Sequence, residues 1–421
     1  MNFISKLNLN PDGKIIFKNF SYLSLLRVFN ILSQYILVSF LVRTLGSEKY
    51  GVLVWALSII QYLIIIVNFG FNTYAAKYIP ENIGDQKNLN RIFSAILFFK
   101  LFLFLISSIL FLVLLYNFPA FRENYKLLLI LLGLGLGEAI FPIWLFQGKE
   151  RLAIPTKIVF VFKVILVLVT LIFIGNYLDL YRYAYFLTIS QIMIGLVGLI
   201  FAFTNLEVKF ESFSPSFLKN LIKEAFIFFI GGIFGKSFNF ASILLIGLYY
   251  SMEDVASFDI SIKILAAIQL PFETLSMAIF PTIARTKNLA LNQKFIFFSF
   301  AISLLLWGLT YWQSDFLISL LGGKELLGYS SLLQTLSVLI PIVVLTYLLG
   351  TNTLVAFGYQ NQFNYSFIFP SIIYILILLY LWKTDSLTFE FIIYSRILVE
   401  MLMVVYRLFI AIKYRLIFIS R

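Results

Sequence analysis

An all-α integral membrane protein of twelve transmembrane helices is what this sequence predicts, on three observations. Hydrophobic residues make up 61% of the 421 residues and charged residues 12%, with a mean hydropathy of +0.96. A soluble domain is only about half apolar. The apolar residues also gather in long runs, close to the roughly 20 residues that cross a bilayer as a helix. Finally, these runs are continuous. Barrel strands would alternate apolar and polar residues, whereas helices satisfy their own backbone hydrogen bonds in lipid.

The spans fall in order at 21–43, 51–76, 92–116, 127–147, 158–175 and 183–204, then at 225–249, 255–283, 295–313, 327–353, 365–382 and 389–412. Ahead of them, MNFISKLNLNPDGKIIFKNF lacks the apolar core and small-residue cleavage site of a signal peptide and reads as a cytoplasmic amphipathic lead-in. Between spans 6 and 7, residues 205–224 form the longest connection. There Ser214 followed by Pro215 signals a helix start, and Phe217, Leu218, Leu221 and Ile222 share a face opposite Lys219 and Lys223. The spacing predicts an interfacial amphipathic helix dividing six spans from six. The domain plan is therefore 1–204, a linker at 205–224, and 225–421. Shifting the chain by 205 positions sets GSEKYGVL beside SMEDVASF, a faint likeness between the halves.

Charge sets the orientation. With the N-terminus inside, the inner segments carry 18 Lys and Arg residues, the outer connections 7, and the spans the remaining 7. Such an excess places both termini on the cytoplasmic side. It also accounts for much of the net charge of +12 without nucleic acid. Cys and His are both absent, which removes disulfides, thiolate metal sites, cysteine nucleophiles and the commonest general base. No connection exceeds about 20 residues and no DxD-type metal motif occurs, which disfavours a membrane glycosyltransferase or polymerase.

Eleven ionisable groups lie inside the spans. Arg27, Lys100, Lys163, Lys236, Lys263, Arg396 and Arg407 are cationic; Glu138, Asp259, Glu273 and Glu400 are anionic. If all faced lipid, the cost would be roughly 25–40 kcal/mol, at about 2.5–3.5 kcal/mol each. They must pair, reach headgroups or line a hydrated cavity. Arg407, one turn from the inner end of span 12, is expected to snorkel, and Arg27 and Lys163 lie within partial reach of an interface. Asp259 with Lys263, and Arg396 with Glu400, are spaced to pair across one helical turn. Lys100, Lys236 and Glu138 have no such partner, and an isolated mid-span charge points to function. Asp259 and Glu273 roughly share a face of span 8, with Pro271 between them inviting a bend. Apart from Arg407, the balance is +2, suited to an anionic substrate such as a pyrophosphate.

VRTLGSEKYGVLVWALS at 42–58, FGFNTYAAKYI at 69–79 and FPIWLFQGKERL at 141–152 resemble the polysaccharide (O-antigen type) flippases of the multidrug/oligosaccharidyl-lipid/polysaccharide exporter superfamily. SILLIGLYYSMEDVASFDISIKI at 242–264 and PFETLSMAIFPTIAR at 271–285 are similar to that family's span 7 to span 8 region. Gly46 and Gly51 read as turn punctuation, and Pro142, an interfacial Trp144 and a basic inner cap read as the close of a span.

The resemblance implies two six-helix lobes around a central cavity, in the bacterial inner membrane. It implies alternating-access transport, without enzymatic chemistry, of an undecaprenyl-pyrophosphate-linked oligosaccharide for O-antigen, capsule or exopolysaccharide assembly, with polysaccharide polymerase machinery as a partner. On that reading Arg27, Lys100, Lys163, Lys236, Lys263 and Arg396 are the cationic substrate-binding candidates. Proton or sodium coupling, with no other cofactor and no metal, falls to Glu138, Asp259, Glu273 or Glu400. A drug/cation antiporter of the same superfamily should instead carry an acidic cavity, and a lipid II flippase usually has fourteen spans.

Overall fold

The computed structural model describes residues 33–81 and 84–417, except for the side chains at 81, 231 and 234–239. Every regular element among the described residues is helical. The first, α1, is described over 33–45. It is followed by α2 (Ser47–Asn68), α3 (Phe71–Glu81), α4 (Gln86–Asn117), α5 (Pro119–Glu123), α6 (Tyr125–Ile140), α7 (Ile143–Gly148), α8 (Ala153–Phe173) and α9 (Leu180–Asn205). Then come α10 (Pro215–Tyr249), α11 (Met252–Thr286), α12 (Leu289–Trp312), α13 (Ser314–Gly322), α14 (Ser330–Ser337), α15 (Leu339–Tyr347), a π-helical stretch (Leu348–Val355), α16 (Gln360–Lys383) and α17 (Phe389–Lys413).

Among the described residues, eight helical segments are long and apolar enough to cross a membrane. A ninth is the broken span Lys324–Ser337 with Leu339–Val355, bent by 41°. α17 has the length, at 25 residues, but carries Glu390, Arg396, Glu400, Arg407 and Lys413. The chain is thus a multi-pass membrane protein, and Phe98, Leu105, Ile109 and Leu110 of α4 are exposed as lipid-facing side chains would be.

Helix starts follow local chemistry. The side chains of Asp85, Ser251, Asn288 and Thr388 accept hydrogen bonds from the backbone N–H three residues on. Ser214 does the same for Phe217, so the Ser-Pro start is where the sequence puts it. The separate interfacial helix expected at 205–224 does not form, because α10 runs unbroken from Pro215 to Tyr249. Its first turns still present Leu221 and Ala225 to a buried aromatic core, while Lys219 and Lys223 stay exposed.

Packing divides the described residues into two compact units, one comprising residues up to Phe40 with Ile59–Gly232, the other Leu41–Ser58 with the chain from Ile233 onward. The sequence assigns 41–58 to the first half, but these residues pack in the second unit for identifiable reasons. Arg43 donates to the carbonyls of Leu320 (2.8 Å) and Ser319 (3.3 Å), capping α13. The Ser47 N–H donates to Glu325 at 3.2 Å. Trp55 is fully buried against Gly247. Gly46, at φ +82°, makes the turn as expected. Gly51 lies inside α2, where a Cβ would come within 1.7 Å of the Met252 carbonyl oxygen, so its role is close packing.

The first unit is organised around aromatic side chains: Phe69 stacks on Phe229 at 4.6 Å, and Phe69 and Phe71 meet the edge of Phe99. Trp144 is only 1% exposed within that core, so it is a packing residue where an interfacial one was expected. The basic cap of FPIWLFQGKER serves another helix. Arg151 donates to the Asn205 carbonyl at 3.0 Å and Lys149 to the Leu206 carbonyl at 3.3 Å, placing positive charge at the C-terminus of α9. Burial first, and the Arg151 charge second, lower the pKa of Lys149.

Candidate functional site

The in-span charges form three clusters. In the first unit, α6 ends at Ile140 because Pro142 has no N–H to give the Glu138 carbonyl four residues back. Lys100, fully buried on α4, donates to that carbonyl at 2.7 Å. The Glu138 carboxylate, lying close enough to interact with the Lys100 charge, accepts a hydrogen bond from Gln191 of α9 at 3.3 Å. Close helix packing makes this possible, since a Cβ at Gly137 would lie 2.6 Å from the Gln191 carbonyl oxygen. Lys100 and Glu138, isolated along the sequence, are therefore partners in space. Pro142 was the missed signal: an i–4 carbonyl left without a donor calls for one from elsewhere.

The second cluster is a closed triangle in the second unit. Asp259 and Lys263 form the expected one-turn ion pair, and Tyr50 of α2 donates its hydroxyl to Asp259 Oδ2 at 2.6 Å. Lys263 Nζ also donates to the Tyr50 hydroxyl at 3.4 Å. Lys263 is thus held by an acid, as the one-turn spacing leads one to expect. The Asp259 carboxylate, 8% exposed, is equally engaged. Glu273, 14 residues further along α11, is part-buried and not joined to this triangle.

The third cluster lines a cavity of about 370 Å³ in the second unit, walled by α11, α15, the π-helical stretch, α16 and α17. Arg396 and Glu400 form their ion pair at 2.9 Å and are 5% and 7% exposed. Arg407 does not snorkel. It is 1% exposed, because it projects from the face of α17 that packs inward. Its Nε donates to the Ser366 hydroxyl at 2.8 Å, its Nη1 donates to the Thr346 carbonyl, and its guanidinium lies 4.8 Å and 4.7 Å from the ring centres of Phe363 and Phe367. Gly350 makes room, since a Cβ there would sit 2.4 Å from Arg407 Nη1. Among the described residues, Arg396 Nη1, Arg407 Nη2 and Glu400 Oε2 have no hydrogen-bond partner. One carboxylate facing two guanidiniums leaves the wall with a charge of +1.

Of the other candidates, Lys163 is part-buried on α8 with no ion-pair partner among the described residues. Arg27 and the Lys236 side chain lie outside the described residues. Among the described residues no group of acids, His or Cys is arranged to hold a metal ion.

Comparison with known proteins fits this architecture. The family model described as polysaccharide biosynthesis protein matches residues 16–287, well over half of the chain. The chain belongs to that family. A similar curated protein is a putative O-antigen transporter of Escherichia coli (strain K12), 22% identical, covering 85% of this chain and 87% of that protein. A putative O-antigen transporter of Shigella dysenteriae is 24% identical over 85% and 91% of the respective chains. Among solved structures, an inward-facing multidrug resistance MATE family transporter of the MOP superfamily aligns with a TM-score of 0.71 at 15% identity, covering 93% of this chain and 94% of that one. The lipid II flippase MurJ, in an inward closed conformation, aligns with a TM-score of 0.70 at 14% identity, over 94% and 87%. The resemblance read from the sequence motifs is borne out, and this member of the polysaccharide biosynthesis family shares the fold of those transporters.

Proposed function

We propose that this protein is a flippase that carries undecaprenyl-pyrophosphate-linked oligosaccharide repeat units across the bacterial inner membrane by alternating access, supplying O-antigen, capsule or exopolysaccharide assembly. The observation that carries this reading is the family match together with relatives named as O-antigen transporters along most of their length. Twelve spans in two six-helix lobes, both termini cytoplasmic, complete the proposal, with the polymerase machinery receiving the product. The positive excess among the in-span charges supports capture of an anionic headgroup, in contrast with the acidic cavity that a drug/cation antiporter needs. Lys236 and Lys263 are the proposed contacts for the pyrophosphate.

Coupling to protons or sodium is proposed through Glu138, Asp259, Glu273 or Glu400. Asp259 is ion-paired with Lys263, so charge movement there would accompany release of that lysine.

The test is reconstitution of the full chain in proteoliposomes with a radiolabelled lipid-linked oligosaccharide. Movement of the intact molecule between leaflets is the expected result, and Gln at both Lys236 and Lys263 should abolish it while insertion persists. Consumption of the glycan donor with covalent change would make the protein an enzyme and overturn the proposal.

A further inference from the structure

The cavity beside α17 has three unmet needs, and together they specify a ligand. The first is charge: Arg396 and Glu400 offset one another, but Arg407 is surrounded by a hydroxyl, a carbonyl and two aromatic faces, all neutral. A buried uncompensated cation in a membrane span is costly, and an anion relieves it. The second is donors without an acceptor among the described residues, Arg407 Nη2 and Arg396 Nη1. The third is an acceptor, Glu400 Oε2, that lacks a donor. Arg407 and Glu400 are seven apart on α17, about two turns, and project onto the same face. Both line the same cavity.

Few simple ligands meet all of these needs. A halide or a phosphodiester accepts from Arg407 but confronts the bare oxygen of Glu400, and hydrogen phosphate, which carries both a charge and a hydroxyl, fills little of a cavity of about 370 Å³. A neutral sugar hydroxyl serves both atoms but leaves the charge. A carboxylate with a hydroxyl on the ring carbon adjacent to the one that bears it meets all three. Within a glycan that is the chemistry of a hexuronic acid, whose carboxylate adjoins the C4 hydroxyl. The volume of about 370 Å³ is at the small end of the usual range for small-molecule sites, about 300–1,000 Å³.

We propose that this cavity binds an acidic sugar residue of the transported glycan, its carboxylate accepting from Arg407 and its adjacent hydroxyl donating to Glu400. The inference deepens the flippase reading and rests on it for the source of the sugar. It narrows the cargo to glycans containing a uronic acid.

The experiment titrates the purified full chain in lipid nanodiscs with sodium glucuronate, glucose, inorganic phosphate and sodium chloride, reading affinity by calorimetry. Glucuronate should bind at least about tenfold more tightly than any of the others, a difference that Arg407→Lys and Glu400→Gln should each erase. Glucose, phosphate or chloride binding as well as glucuronate overturns the proposal. The wild-type ranking and the Glu400→Gln variant decide the matter even if Arg407→Lys does not fold. A proteoliposome assay on the same preparation, with one lipid-linked glycan that contains uronic acid and one that lacks it, separates the two readings. Translocation without glucuronate selectivity sinks the inference alone, whereas glucuronate selectivity in a protein that translocates no lipid-linked glycan sinks the flippase reading and leaves the acidic-sugar site.

Discussion

The cluster around Lys100 and the cluster around Arg407 begin from the same liability, a cation deep in an apolar helix, and resolve it in opposite ways. In the first unit, one lysine meets one glutamate, and its ammonium fills the place of an N–H that Pro142 lacks. The charges balance and the backbone is satisfied. In the second unit, two arginines and one glutamate line an open cavity, and two donors and an acceptor stay unmatched among the described residues. A buried charge is therefore not itself a mark of function. The distinguishing property is whether the protein alone completes its surroundings: Lys100 is completed by a carbonyl and an acid, Arg407 only in part.

Substitutions can break or sharpen that contrast. The largest effect is expected for Glu400→Ala, which leaves two buried guanidiniums on the cavity wall with no carboxylate. It should destabilise the protein by about 3–5 kcal/mol, read as a lowered unfolding midpoint in detergent. Lys100→Met comes next. It orphans the Glu138 carbonyl and should cost about 1–3 kcal/mol by the same assay. If Lys100 stands in for the missing N–H, Pro142→Ala should soften that loss. A double-mutant cycle between 100 and 142 should then show a coupling of about 1 kcal/mol, and strict additivity would refute the capping role. Tyr50→Phe is expected to have the smallest effect. It removes one hydrogen bond from an ion pair that survives, at about 0.5–1.5 kcal/mol.

Much of this was legible from residue order. The long apolar runs locate the helices, Ser214 and Pro215 locate the start of α10, and the one-turn spacings of Asp259 with Lys263 and Arg396 with Glu400 foretell their ion pairs. Depth in the membrane was a poor guide for Arg407. Counting residues to the end of a span says how far a side chain must reach, but not which way the helix faces. Arg396 and Arg407 are 11 residues apart, three turns, so they fall on one face, and that spacing was the better signal. Contacts between distant segments were beyond local reading. Tyr50 with Asp259, and Arg43 capping α13, depend on 41–58 packing with the second unit, which no periodicity within 41–58 reveals.

The central claim is that the α17 cavity acts on cargo whereas the Lys100 cluster holds the fold. Its most direct test is the rate of lipid-linked glycan translocation in proteoliposomes, normalised to folded protein, for Lys100→Met beside Glu400→Gln and Arg407→Lys. The account predicts that Lys100→Met stays within about twofold of wild type while both cavity variants fall by about tenfold or more. Wild-type rates in the cavity variants, with loss of transport in Lys100→Met, would contradict it.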